Sequence, residues 1–280
     1  MSHKLHRLLD SVYNSPQLIT ATALKPIVEY LVERNGASFS FVPEAKETEK
    51  KKAMQVGSIG EIVVDGAISY KPVEGLCGPS GTSYTGILDQ AQELIDAGVD
   101  TILMVFSSPG GAAAHCFTTC QELREMADDN GIRLISYIDE MAASAALALS
   151  VISDEVIIHP SATTGSIGCV CAILDQSKAL ADKGLKPIYI SSTPGKTAFN
   201  PDGSFSDKFL ETLQNEVTAL GNQFANHVTE FTGIPLETIL GMDAQMFNAE
   251  KAVEVGLANK IMNHKQFAAY LAQPKGQKNA

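Results

Sequence analysis

The sequence predicts an α/β fold in which a mostly parallel sheet is flanked by helices. From residue 56 onwards, apolar segments of strand length alternate with amphipathic segments of helix length, and this alternation is typical of βαβ crossovers. The strand segments, such as "TILMVF" at 101–106, are nearly continuous apolar runs. Such runs are expected when helices cover both faces of a sheet.

The individual elements follow from apolar periodicity and from the glycines that end several helices. Strands are predicted in "IGEIVVDGAIS", "VDTILMVFSS", "IRLISYID", "DEVIIHP", "GCVCAIL", "KPIYISS" and "ANKIM". Helices are predicted in "TSYTGILDQAQELIDAG", "AAAHCFTTCQELREMADDNG", the alanine-rich segment around Ser144, "QSKALADKG", "FLETLQNEVTALGNQFANHVTEFTG" and "NAEKAVEVGL".

The N-terminal region is predicted to be a separate appendage. Residues 1–36 have helical periodicity, and "EAKETEKKKA" at 44–53 is a charge run typical of a solvated linker. We therefore expect an N-terminal helical appendage with a charged linker at 1–52, a main domain at 53–265 and a disordered tail at 266–280.

Composition excludes several classes of protein. The net charge is −11 and Lys and Arg form no cluster in the body of the chain, which argues against a nucleic-acid partner. The five cysteines lack C-x-x-C spacing, which argues against a disulfide framework and a zinc site and favours the reducing cytoplasm. With no apolar signal segment and no apolar run of membrane-spanning length, we expect no membrane anchor.

Two segments at predicted strand ends are candidates for a site, because sites in parallel α/β sheets form at the carboxyl ends of strands. In "SSPGG" (107–111), Pro109 stiffens the turn, and Gly110 and Gly111 can present free N–H groups next to a helix N-terminus. Such a corner suits a developing oxyanion, although a plain strand-to-helix turn would have the same sequence.

Ser144 is the candidate nucleophile of the second segment, "DEMAAS" (139–144). It is predicted to lie in the first turn of a helix among alanines, where a serine is also an ordinary structural residue. A serine hydroxyl needs a base. His115 and His159 are not placed convincingly for that role, whereas Lys196, at a turn in "STPGKTAFNP", would serve if its amine were neutral.

With these segments identified, the chain resembles the signal peptide peptidase A family of serine-lysine peptidases. The resemblance rests on motifs that occur in the family order across residues 56–263. They are "SSPGG", "DEMAASAALAL", "TTGSIG" at 163–168, "PGKTAFNP" and "FNAEKAVEVGLANKI". The family implies a Clp-protease/crotonase-like fold of repeated β-β-α units. The N-terminal "SPQLITATALKPIVEYLVERNG" is similar to phage and prophage members that process capsid proteins.

The resemblance implies a role for each matching residue. Ser144 matches the nucleophile, Lys196 the general base and Ser166 the serine that orients the lysine. Gly111 matches the oxyanion donor, assisted by Gly110. It implies a soluble serine endopeptidase with an acyl-enzyme intermediate and no metal or cofactor.

The resemblance also implies partners. Protein or peptide substrates are expected, including phage scaffold or capsid proteins in the host cytoplasm or procapsid. With one catalytic domain, the chain is expected to form a homo-oligomer whose sites are shared between subunits.

The sequence departs from the family beside the proposed nucleophile and leaves two other functions open. Ala145 and Ala146 stand where the family has Gly-Gly or Gly-Ala, and Gly195 stands where an aromatic residue or His usually precedes the lysine.

The alternative functions are a catalytically inactive peptidase-like structural subunit and a crotonase-like acyl-CoA enzyme. Lys186 and Lys208 are weaker alternatives for the base.

Overall fold

The computed structural model describes residues 15–25, 29, 54–72 and 82–273. Its strands are β1 (Gln17–Ile19), β2 (Met54–Val56), β3 (Ile59–Asp65), β4 (Ile68–Ser69), β5 (Thr82–Ser83), β6 (Thr101–Ser108), β7 (Gly110–Ala112), β8 (Arg133–Ala143), β9 (Glu155–Ile158), β10 (Thr163–Gly165), β11 (Met246–Asn248) and β12 (Lys260–Ile261). Its α-helices are α1 (Tyr84–Asp96), α2 (Cys116–Asn130), α3 (Ala145–Ser150), α4 (Ser177–Asp182), α5 (Asp207–Thr232), α6 (Leu236–Gly241), α7 (Ala249–Val255) and α8 (His264–Leu271).

The larger sheet is parallel at its centre and antiparallel at two edges. In the described part of the chain its order is β11-β10-β8-β6-β3-β2, and β9 and β12 extend it beside β8. The pairs β3–β6, β6–β8, β8–β9 and β8–β10 are parallel, whereas β2 and β11 run antiparallel to their neighbours. The predicted α/β class with a mostly parallel sheet and flanking helices is therefore confirmed.

A smaller sheet holds the first half of the candidate site. Its order is β1-β7-β4-β5 in the residues described. β1 runs antiparallel to β7, and β4 runs parallel to both β7 and β5. The smaller sheet therefore joins the glycines of "SSPGG" to the N-terminal region.

The helix α3 lies in the middle of the main core. All six of its side chains are completely buried, and the five apolar ones belong to the same cluster as Phe106, Leu123 and Phe224 from β6, α2 and α5. An alanine-rich helix suits this position because small side chains let the surrounding elements approach closely. None of the described helices has both the length and the apolar character that crossing a membrane requires.

Two predicted strands are wrong. Residues 186–192 ("KPIYISS") form no strand, and the side chains of Ile188 and Ile190 are 80% and 95% exposed. The segment "GCVCAIL" has an isolated bridge at Val170 instead of a continuous strand. Both segments have strand-forming composition, but a strand also needs a neighbouring strand to bond to.

The two ends of the main domain also differ from the prediction. Residues 17–19 form a strand instead of a helix, whereas residues 21–25 are helical. At the other end, α8 continues past residue 265, and the buried Phe267 stacks on Tyr137 with ring centroids 4.1 Å apart. The tail predicted to start at 266 therefore begins with folded residues. The charged linker and the last residues of the tail lie outside the described residues.

Candidate active site

An irregularity in β8 brings Ser144 to the site. The register between β6 and β8 shifts after Phe106, which pairs with Ile138, so that Ser107 pairs with Met141. Asp139 and Glu140 are therefore extra residues of a bulge. Beyond the bulge, Met141–Ala143 pair with β10, and the chain then turns sharply into α3.

Ser144 occupies that turn in a strained conformation. Its φ of 55° and ψ of −117° lie outside the regions that non-glycine residues favour, and such residues cost about 1–3 kcal/mol. Ser144 is the residue before α3, whereas the sequence predicted it to lie within the first turn of the helix. The residue is completely buried, and its Oγ has no hydrogen-bond partner among the described residues.

Gly110 lies directly against Ser144. Its φ is 100°, and a Cβ built on it would be 3.0 Å from the Ser144 Cβ, 2.9 Å from the Ala143 oxygen and 2.1 Å from the Leu18 oxygen. Only glycine fits this space. The Gly110 N–H donates to the Ser108 Oγ at 3.2 Å, and that hydroxyl donates to the Gly66 oxygen.

Gly111 lies next to Gly110 in the centre of the smaller sheet. A Cβ on Gly111 would be 1.9 Å from the Ile68 oxygen, so this position also requires glycine. Gly111 pairs with Leu18 of β1 on one side and with Ile68 of β4 on the other. The proposed oxyanion donor is therefore rigidly held.

The motif "TTGSIG" forms the opposite wall. The Ser144 N–H donates to the Gly165 oxygen at 2.9 Å. Ser166 is the next residue along the chain after Gly165. Ser166 itself has a φ of 58°, and its N–H donates to the Gln245 oxygen at 2.9 Å. The bond between Ser144 and Gly165 brings Ser166 close to Ser144, which itself lies against Gly110.

Lys196 forms no hydrogen bond with the Ser144 hydroxyl within the single chain. It is exposed, in a 3₁₀ turn at Pro194–Lys196. Since the Ser144 Oγ has no hydrogen-bond partner in the described residues, the two side chains are not hydrogen-bonded to each other. Lys196 follows the exposed apolar segment that contains Ile188 and Ile190.

His227 is a residue near the site that the sequence did not single out. It is buried on α5, and its Nε2–H donates to the Ala148 oxygen of α3 at 2.9 Å. Burial lowers the pKa of His227, and the bond to Ala148 only partly offsets this effect. His227 thus connects α5 to α3 by a hydrogen bond. In the sequence, its position on the apolar face of "FANHVTEF" was the only sign that its side chain is buried.

The arrangement has the parts of an acyl-transfer site. It places a serine hydroxyl without an intramolecular bond beside glycine amides at the carboxyl end of parallel strands, where a carbonyl could be attacked and its oxygen stabilised. An acyl-transfer enzyme with a serine nucleophile needs one further group, a base that accepts the serine proton.

Comparison with known proteins gives the family. Residues 126–278, more than half of the chain, match the model described as Peptidase family S49. The chain therefore belongs to peptidase family S49.

Two curated phage proteins are similar to most of the chain. Capsid assembly protease C of Escherichia phage lambda is 26% identical over 79% of this chain and 49% of its own length. Head-tail preconnector protein GP5 of Enterobacteria phage P21 is 23% identical over 94% of this chain and 56% of its own length. The chain thus spans about half the length of these relatives.

A solved structure is also similar to the chain. It is a ClpP1 mutant from Listeria monocytogenes with a TM-score of 0.48 and 13% identity, covering 73% of this chain and 92% of that one.

Proposed function

We propose that the chain is a serine endopeptidase with Ser144 as its nucleophile. The observation that carries the proposal is the fully buried, strained Ser144, whose unbonded hydroxyl lies beside Gly110 in a chain of peptidase family S49. Strained residues of this kind occur where a site has to present a side chain in one fixed direction.

The proposed reaction passes through an acyl-enzyme. Lys196, as the neutral amine, accepts the Ser144 proton while Oγ attacks the peptide carbonyl carbon, and the Gly111 N–H stabilises the oxyanion. The lysine then protonates the leaving amine, and water hydrolyses the ester. Ser166 would orient the lysine.

Lys196 is proposed to reach the serine of a neighbouring copy in a homo-oligomer. Two observations support this assembly. The Ser144 Oγ lacks a partner within the described chain, and Lys196 is exposed just after the exposed Ile188 and Ile190. A neighbouring copy that covers these isoleucines would remove apolar surface from water and bring the lysine with it.

The substrates are proposed to be proteins of a phage head, such as scaffold or capsid proteins. The support is the similarity to Capsid assembly protease C and Head-tail preconnector protein GP5, which extends over most of this chain. The host cytoplasm or procapsid is the corresponding place of action.

Replacement of each dyad residue tests the proposal. Ser144→Ala and Lys196→Ala are each expected to abolish cleavage of a denatured protein, because one lacks the nucleophile and the other the base. The matched controls are Lys186→Ala and Lys208→Ala, which remove exposed lysines from the same part of the chain and should leave cleavage intact.

A fluorophosphonate probe gives an independent measurement, since it reacts with an activated serine. It is expected to label wild-type protein at Ser144 and to label neither dyad variant. Cleavage by Ser144→Ala at the wild-type rate would disprove the proposal. Absence of both cleavage and labelling in wild-type oligomer would favour the inactive structural subunit instead.

A further inference from the structure

β1 fills a slot between two segments of the main domain. On one side, Leu18 and Ile19 pair with Gly111 and Gly110 in antiparallel register. On the other side, Gln17 and Val170 exchange both backbone hydrogen bonds, at 2.7 and 2.9 Å. The slot therefore holds an extended backbone along both of its edges.

The hydrogen-bond pattern places a β1 carbonyl on the proposed oxyanion donor. The Thr20 N–H donates to the Pro109 oxygen, and the Ala113 N–H donates to the Pro16 oxygen. Bonded and non-bonded pairs alternate in an antiparallel ladder. Thr20–Pro109 and Pro16–Ala113 are bonded pairs, and Leu18–Gly111 lies two residues from each. Leu18–Gly111 is therefore also a bonded pair, in which the Gly111 N–H is directed at the Leu18 oxygen.

The same carbonyl lies close to the proposed nucleophile. The Leu18 oxygen and the Ser144 Cβ lie 2.1 and 3.0 Å from the position that a Gly110 Cβ would occupy. With β1 in place, Ser144 has no exposed surface. A peptidase serine has to meet an extended peptide at this point, and a segment of the chain itself already occupies it.

The chemistry of the occupant indicates what the slot accepts. The segment "SPQLITAT" (15–22) carries no charge. The Leu18 side chain is completely buried in the main core, and Ile19 is also buried. The slot thus fits an extended, uncharged peptide with an aliphatic side chain at the position of Leu18.

We infer that this slot is the peptide-binding site of the enzyme and that residues 16–20 occupy it in place of substrate. The inference rests on the proposed function and deepens it, since it assigns the substrate class and an internal competitor. Substrate binds as a strand antiparallel to β7 after residues 16–20 have left.

A reversible disulfide tests the inference. Gln17 and Ala112 face each other as a non-bonded pair of the ladder, with an expected Cα separation of about 4.5 Å, which a disulfide can span. In the double variant Gln17→Cys/Ala112→Cys, oxidation should fix β1 in the slot and abolish cleavage of a denatured protein, and a reductant should restore it. Each single variant serves as a control, because without the second cysteine its cleavage rate should be the same under oxidising and reducing conditions. Mass spectrometry of the digested protein confirms the crosslink.

A binding measurement keeps the test independent of catalysis. A fluorescein-labelled peptide with the sequence SPQLITAT should bind the reduced double variant that also carries Ser144→Ala, and the oxidised form should not bind it. The same peptide with Asp in place of its leucine should not bind either form.

The outcomes separate the inference from the proposed function. Equal cleavage by the oxidised and reduced proteins would overturn the inference while the peptidase function stood. Failure of the reduced protein to bind the peptide, or equal binding by the oxidised form, would overturn it as well. Redox-dependent binding without any cleavage would support the slot and count against the peptidase function.

Discussion

Ser144 combines two features that oppose stability. Its backbone has an unfavourable positive φ, and its buried hydroxyl forms no hydrogen bond in the described structure. A buried hydroxyl without a partner costs about 1–3 kcal/mol. Natural proteins retain such costs at sites that need a particular geometry.

Replacement of this hydroxyl is expected to stabilise the protein while it removes activity. Ser144→Ala should raise the free energy of unfolding by about 1 kcal/mol, because the unbonded polar group is gone. Ser136→Ala is the matched control in β8. Its equally buried hydroxyl contacts the Ser150 oxygen and the Ser153 hydroxyl, so its loss should destabilise by about 1 kcal/mol. Urea unfolding of the three proteins measures the difference, and a Ser144→Ala variant less stable than wild type would contradict it.

Gly110 is expected to tolerate no side chain. Gly110→Ala adds a methyl group that collides with the Leu18 and Ala143 oxygens, so we expect loss of cleavage and destabilisation well beyond backbone strain. Gly98→Ala isolates that strain, since Gly98 also has a positive φ, of 75°, with nothing within 4 Å of a Cβ. It should cost only about 1 kcal/mol. Equal urea midpoints of unfolding for Gly110→Ala and Gly98→Ala would contradict this, because they would show that the backbone shifts to make room for the methyl group.

The sequence predicts candidate residues at this scale but not their conformations. Their positions at strand ends make Ser144, Gly110 and Gly111 candidates for acyl transfer, the family resemblance adds the role of each, and these roles stay predictions. The positive φ of Ser144 was not predictable, because it results from the β8 bulge and the tight contact with Gly165. Ala145 and Ala146 proved to be fully buried core residues.

At the scale of elements, α3 is held by contacts far along the chain. Its Ala148 carbonyl accepts the hydrogen bond of His227, which lies near the C-terminal end of α5. Burial disfavours the charged imidazolium and lowers the pKa of His227 in the folded state.

This lowered pKa predicts a stability that depends on pH. The unfolded chain binds a proton to His227 more readily than the folded chain. The stabilisation is therefore complete above the unfolded pKa of about 6.5 and is lost as the pH falls toward the lower folded pKa. Unfolding free energies measured by urea between about pH 7 and pH 5 should decrease, with less decrease in His227→Gln, whose amide still donates a hydrogen bond but does not titrate. An identical decrease in both proteins would contradict the prediction.

Long periodic elements were predictable, and short or unpaired ones were not. β6, β8, α1 and α5 have apolar patterns long enough to identify them. β1 has three residues and depends entirely on partners at 110–112 and 170. The segment at 186–192 is the reverse case. Its composition favours a strand, but no strand forms because the described chain offers it no neighbouring strand.

At the scale of the whole molecule, the proposed shared site leads to a complementation test. Ser144→Ala subunits keep the lysine and Lys196→Ala subunits keep the serine. In randomly mixed oligomers, about a quarter of the interfaces should pair an intact serine with an intact lysine. Mixing the two inactive proteins after dissociation should therefore restore part of the cleavage activity. No recovery in confirmed mixed oligomers would indicate that both residues act within one chain.

The assembly should also depend on the exposed isoleucines. Ile188→Asp with Ile190→Asp places charges where apolar surface is proposed to become buried, so light scattering should detect smaller particles. The matched control, Lys183→Asp with Lys186→Asp, alters exposed charges in the same region and should leave the particle size unchanged. An unchanged mass for the isoleucine variant would exclude this surface from the interface.

Because β1 belongs to the same polypeptide as the slot it fills, dilution will not remove it. A tethered ligand acts at an effective concentration that can reach about millimolar, and this value is the same in a dilute assay as in a concentrated stock. Conditions that loosen local contacts should release it instead, since local openings cost less than global unfolding. Activity should therefore rise in urea concentrations too low to unfold the domain, and the rise should be absent from the oxidised Gln17→Cys/Ala112→Cys protein.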